Sequence, residues 1–162
     1  MKTTKVLTRL SIVAALYIAL CMHIPSSGQI QFRFAEILNL LPVISPLYIL
    51  PVTLGCAITN LLTSDLGIID VVVGSLCTLV ATFMVYKTRK NLILASLWPL
   101  LNGVVIAAEG YYIAGWPFWM TALWITISEF IIVTLIGVPL FKMMLKNKTL
   151  VDLLSFDSYN TK

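Results

Sequence analysis

Arg33, Glu36 and Asn39 follow one another at intervals of three residues in the run Gln29-Ile-Gln-Phe-Arg-Phe-Ala-Glu-Ile-Leu-Asn-Leu-Leu41, whose other members are mostly apolar. On a helix starting near Phe34, Glu36 and Asn39 share a face at the first turn, and Arg33 sits just ahead, within reach of Glu36. Lipid does not tolerate such a stripe, so it faces a protein interior or a watery cavity. The same chemistry recurs downstream. Asn60, Asp70, Asn102, Glu109 and Glu129 are all amide or carboxylate groups set in apolar surroundings. A charge at the bilayer centre costs roughly 2.5–3.5 kcal/mol, so groups of this kind are kept for a task.

The elements that must position these groups are membrane helices. Of the 162 residues, 59% are hydrophobic and 11% charged, against about a quarter charged in soluble domains. The apolar runs are continuous rather than alternating, which predicts an all-α integral membrane bundle, one domain over residues 1–162, and not a β-barrel. The net charge of +4 comes from short clusters at Lys2/Lys5/Arg9, Lys87/Arg89/Lys90 and Lys142/Lys146/Lys148. Basic clusters flanking apolar runs mark cytoplasmic loops. No aromatic-basic face accompanies them, so nucleic acid is excluded as a partner.

Several kinds of chemistry are missing. Cys21, Cys56 and Cys77 lie in apolar runs without CxxC or Cys/His spacing and read as small packing residues. His23 has no partner spacing, so no metal site is expected, and the absence of a phosphate loop argues against direct use of ATP. No cofactor is implied. Without a nucleophile–base pair, the chain does not read as an enzyme. The N-terminus has the basic-then-apolar pattern of a secretory signal, but no small-x-small cleavage site follows Met22, which predicts a retained first helix.

Spans are expected at about 6–23, 34–44, 47–62, 68–86, 92–113 and 117–144. The number follows from charge. If the Lys2–Arg9 and Lys87–Lys90 clusters are both cytoplasmic, the chain between them crosses an even number of times. Splitting 34–62 around Pro42–Pro46 meets that condition; a single crossing does not. Six spans with both termini cytoplasmic result. The 34–44 helix is short for a bilayer core of about 30 Å.

This topology puts Gln29–Arg33, Asp65 and the Gly110–Pro117 turn outside, with Tyr111, Tyr112, Trp116 and Trp119 as an interfacial aromatic belt. Glu36, Asn39, Asn60, Asp70 and Glu109 then gather in the outer half, with Asn102 and Glu129 deeper. Four outer carboxylates (Glu36, Asp65, Asp70, Glu109) face Arg33 alone, which suits a ligand rich in N–H donors, or a cation. Trp119, Phe118 and Phe32 could stack on a planar ring. A ligand-shaped outer cavity with no energy source describes a capture subunit that borrows its drive.

Gln31-Phe-Arg-Phe-Ala-Glu-Ile-Leu-Asn-Leu-Leu41 and Leu66-Gly-Ile-Ile-Asp-Val-Val-Val-Gly-Ser-Leu-Cys-Thr-Leu79 resemble the QueT family. Its members are substrate-binding S components of energy-coupling factor transporters, assigned to uptake of queuosine precursors. The resemblance spans nearly the whole chain, with Asn60, Asn102, Glu109 and Glu129 at matching places; Ser128 stands where the family has glycine. It implies a six-helix S component that takes its ligand from outside, beneath the loop joining the first two helices. It further implies that Ala15 and Ala19 form the Ala-x-x-x-Ala face that docks on a transmembrane T subunit, itself driven by two ATPase subunits.

A deazaguanine fits this donor–acceptor balance. Its ring N–H and exocyclic amine form a donor pair for a carboxylate, and an aminomethyl group would add a cation for a second. The expected lining is Arg33, Glu36, Asn39, Asn60, Asp70, Asn102, Glu109, Trp119 and Glu129, with Arg33 bracing Glu36 and Glu129 the first choice for the donor edge. The competing readings are an S component for another donor-rich or cationic vitamin such as thiamin, or an intramembrane enzyme or structural assembly subunit.

Overall fold

A computed structural model of the chain describes residues 2–23 and 33–156. Residues 29–32, placed outside by the expected topology, and with them Phe32 as a stacking ring, lie outside the described residues. Among those described, all regular structure is helical. Five helices are long and apolar enough to cross a membrane: Thr3–Met22, Pro46–Thr63, Ile68–Lys87, Leu92–Ala114 and Phe118–Lys146.

Helix α1 (Lys2–His23) buries Val13, Tyr17 and Cys21, which recur every four residues and so line one face. Ala15 and Ala19 lie on its exposed side, together with Ile12 and Leu16. Exposed aliphatic residues of this kind are what a lipid-facing helix requires. Gly55 of α2 (Ile49–Thr63) lets α1 come close: a Cβ there would lie 2.9 Å from that of Tyr17.

The segment Phe34–Val43 is a 3-10 helix, not an α-helix. In that geometry side chains three residues apart eclipse one another, so Glu36 and Asn39 form a tighter column than an α-helix would give. Pro42 has no amide hydrogen to offer the helix. At about 2.0 Å per residue, this ten-residue helix is roughly 20 Å long, shorter than a bilayer core. It packs against α1, α3 (Ile68–Lys87) and the segment Phe130–Gly137. Ser45 accepts the amide of Leu47 at 3.4 Å and starts the short turn Pro46–Tyr48 that leads into α2.

Two breaks expected from turn residues use left-handed glycines. Gly67 (φ +72°) starts α3, and Gly115 (φ +69°) ends α5 (Leu101–Ala114) before α6 (Phe118–Glu129). The fifth expected span, 92–113, is interrupted. It consists of a short α4 (Leu92–Ser96), a break holding Trp98 and Pro99, and then α5. Proline cannot donate to the helical ladder and collides with the carbonyl four residues earlier, which accounts for the break. The sixth span changes pitch: α6 runs into a π-helix, Phe130–Gly137, and then α7 (Val138–Lys146).

Beyond the last span, a further short helix packs back on the fold. Asn147 caps α8 (Lys148–Leu154), accepting the Leu150 amide at 3.3 Å. The Tyr48 hydroxyl donates to the Leu154 carbonyl at 2.8 Å. Phe156 is buried against the Tyr48 ring, centroids 5.3 Å apart, with the Arg9 guanidinium 6.0 Å from its centre.

Candidate ligand-binding cavity

The polar groups converge in the middle of the bundle. Arg33, Glu36, Cys56, Gly74, Thr78, Asn102, Ile106, Ile125 and Glu129 surround a small cavity of about 20 Å³, room for about one water, so a larger guest must part its walls.

One wall belongs to the 3-10 helix. Glu36 is almost completely buried and accepts the Tyr17 hydroxyl at 2.8 Å on one oxygen and the Asn39 amide on the other. Asn39 is fully buried behind it and does not line the cavity. Arg33 and Glu36 both line the cavity and interact electrostatically, while the Arg33 hydrogen bond goes to another partner. Arg33 donates to the Asn60 carbonyl oxygen at 3.1 Å. Arg33 precedes the helix in an extended conformation, and α2 brings Asn60 to meet it.

Asn60 in turn donates to the Asp70 backbone carbonyl at 3.1 Å and its carboxylate at 3.3 Å, and Ser64 donates to the other Asp70 oxygen. This relay ties the start of the 3-10 helix to the α2–α3 junction. Asn60 and Asp70 therefore stand behind the cavity rather than on its surface. Gly74 makes room for them: a Cβ there would lie 2.5 Å from the Asn60 amide nitrogen. Asp65 is exposed and takes no part.

The other wall is built by α5 and α6. Gly103 allows the two helices to meet, since a Cβ at that position would run into the Thr126 side chain and lie 3.0 Å from its backbone nitrogen. The close approach brings Asn102 to Glu129, with the amide donating to one carboxylate oxygen at 3.1 Å. The second Glu129 oxygen and the Asn102 carbonyl oxygen have no hydrogen-bond partner among the described residues, although both side chains are more than nine-tenths buried. The π-helix begins immediately after Glu129, and π-turns are frequent at functional sites. Ser128, buried beside it, donates to the Ile125 carbonyl at 2.9 Å. Glu109 is also buried with both oxygens unpartnered, two helical turns from Asn102 on α5, but it is not among the cavity-lining residues.

The aromatic expectation needs correction at Trp119. That ring is 82% exposed and packs edge-on against Phe118 at 5.0 Å, in an open groove with Tyr111, Tyr112 and Pro117. It lies away from the buried Thr121/Ala122/Ile125 side of α6 and so cannot reach the cavity. An amphipathic ring near a helix end suits a membrane interface. No group of three or more His, Cys, Asp or Glu among the described residues could hold a metal.

Sequence reasoning missed Tyr17, Cys56, Gly74 and Thr78. Tyr17 was the most legible of these, a phenol in the middle of an apolar span whose hydroxyl needs a partner. Cys56 and Thr78, joined by a 3.3 Å hydroxyl–sulfur contact, carry no pattern that separates them from packing residues.

Comparison with known proteins shows the family. Residues 7–146 match the family described as QueT transporter. A protein of Lactococcus lactis subsp. cremoris (strain MG1363), named Queuosine precursor transporter QueT, is 33% identical over 147 residues, covering 80% of this chain and 85% of the relative. No solved structure matches. Several membrane-crossing helices in a chain that matches a transporter family make this a multi-pass protein of the cell membrane. By the extent of the family match and the identity to its relative, the chain belongs to the QueT transporter family.

Proposed function

We propose that this protein is the substrate-capture S subunit of an energy-coupling factor transporter, importing queuosine precursors (queuine or pre-queuosine deazaguanine bases) from outside the cell. The observation that carries the reading is a buried cavity, in a member of the QueT family, whose carboxylate and amide acceptors suit a flat, donor-rich base. Arg33, Glu36, Asn102 and Glu129 are the lining that meets the ligand, with Asn39, Asn60 and Asp70 holding it in shape. Glu109 waits nearer the outside. Purified protein should gain thermal stability with queuine or a pre-queuosine base, by about 2.7 kcal/mol at a hundredfold excess over Kd. No shift with any of them overturns the reading.

The proposed topology has six crossings with both termini cytoplasmic. The short Phe34–Val43 helix counts as the second crossing. Labelling of single cysteines placed near residues 65 and 88 from the two sides of intact membranes tests it; reaction of both from the same side overturns it.

Drive comes from a T subunit and two ATPase subunits. The exposed Ala15/Ala19 side of α1 is the proposed docking face, since small residues allow close helix approach. Ala15→Trp with Ala19→Trp should keep ligand binding and abolish co-purification with the T subunit; persistent co-purification removes these alanines from the interface. A second ligand class, a cationic vitamin such as thiamin, is favoured by one feature, two lining carboxylates against one guanidinium. Competition between thiamin and a deazaguanine in one assay separates the two.

A further inference from the structure

We propose that Glu129 and Asn102 act together as one reader of two adjacent N–H donors, making an exocyclic amino group on the ligand a requirement for binding. The assignment rests on the deazaguanine reading above and adds which wall recognises which edge.

The reasoning begins with lone pairs. Each carboxylate oxygen can accept more than one hydrogen bond, and an amide oxygen two. On the 3-10 wall both Glu36 oxygens are already engaged by Tyr17 and Asn39. On the opposite wall Asn102 uses its amide nitrogen to hold one Glu129 oxygen, and this contact orients the pair. What remains is the other Glu129 oxygen and the Asn102 oxygen, both acceptors, both buried, and both without a partner among the described residues. Leaving such groups unpaired is costly, roughly 1–3 kcal/mol each and more when charged. A ligand presenting only acceptors would add repulsion, and one presenting a single donor would leave an acceptor unsatisfied. Two neighbouring donors, a ring N–H and an exocyclic amine, satisfy the set.

The surrounding walls fit the same guest. Ile125 precedes Glu129 by four residues on α6, and Ile106 follows Asn102 by four on α5, so each isoleucine lies one turn from an acceptor along its helix. The helices are joined by the tight Gly115 turn and run in opposite directions, which sets both isoleucines on the same side of the acceptor pair. Gly74 adds no side chain to the facing wall. Aliphatic side chains beside a pair of acceptors give a flat ring apolar surfaces to lie against as it enters edge-first and parts the walls of this small cavity.

Binding of two compounds should be measured by calorimetry on the full-length protein: an aminomethyl-deazaguanine and the same molecule without its exocyclic amine. The wild type should favour the amino compound by about 100-fold, as expected for a charge-assisted hydrogen bond plus an acceptor left unpaired. Glu129→Gln replaces one acceptor by a donor, so it should lose about 100-fold for the amino compound and reduce the preference to a few-fold. Asn102→Ser, a milder change, should lose roughly 10-fold and lower the same ratio. A purely structural role would weaken both compounds alike and leave the ratio unchanged. That result, or equal binding of the two by the wild type, overturns the assignment while the transport function stands. Failure of the wild type to bind any deazaguanine overturns the function, and the assignment with it.

Discussion

The two walls of the cavity are made from the same residue types, a glutamate and an asparagine, and use them in opposite ways. On the 3-10 wall, Asn39 and Tyr17 both donate to Glu36, and each of its oxygens has a partner. On the α5–α6 wall, Asn102 donates once to Glu129, and two acceptor atoms are left over. The difference is one of supply. The first wall receives a hydroxyl from α1, which Gly55 admits by letting α1 pack closely on α2; at the second, no third helix contributes a donor among the described residues. A carboxylate with a protein donor on each oxygen holds helices in register. One left short of donors is open to a guest.

That contrast can be broken or sharpened by substitution, beginning where the largest effect is expected. Gly103→Val should force α5 from α6 at Thr126 and part Asn102 from Glu129. Overpacking costs about 1–3 kcal/mol or more, so the melting temperature in detergent should fall by several degrees and deazaguanine binding should disappear. Retained binding would mean the α5–α6 wall is not the reader. Phe156→Ala serves as a control away from both walls. Removing a buried ring costs about 2 kcal/mol, so this variant should melt earlier yet bind ligand with unchanged Kd; a changed Kd would link the C-terminal helix to the cavity.

Tyr17→Phe takes one donor from the 3-10 wall. Hydrogen bonds between membrane helices average about 0.6 kcal/mol and reach about 1.7, so melting should shift by a few degrees and affinity by less than about 10-fold. A loss as large as that expected for Glu129→Gln would erase the distinction between the walls. Trp119→Ala is the smallest. An exposed ring outside the cavity should change affinity and stability within about 0.5 kcal/mol, measured in the same calorimetric and melting assays.

Much of this arrangement could be read directly from residue order. Long apolar runs required membrane helices, and the Gly67 and Gly115 breaks fell where turn residues cluster. The rule that polar groups in such runs are kept for a task selected Glu36, Asn102 and Glu129, which line the cavity, and also Asn39, Asn60, Asp70 and Glu109, which are buried away from its surface. Other features could not be read in advance. Phe34–Val43 has a three-residue spacing of polar groups that is compatible with both α and 3-10 geometry, and the folded bundle holds the tighter form. Trp119 has the right chemistry for stacking on a ring but the wrong side of its helix, because the bundle buries Thr121, Ala122 and Ile125 instead. Arg33 is three residues from Glu36 in the chain, yet its hydrogen bond goes to Asn60, twenty-seven residues away.

By itself, then, the order of amino acids determined that the chain lives in a membrane, that it is helical, and which polar groups it carries there. Composition and local periodicity suffice for that, because lipid penalises every unpaired backbone amide and every stray charge regardless of fold. Only tertiary structure decided which of those polar groups satisfy one another and which are left wanting. Hydrogen bonds between helices depend on how closely their backbones approach, and here small residues at Gly55, Gly74 and Gly103 set that distance.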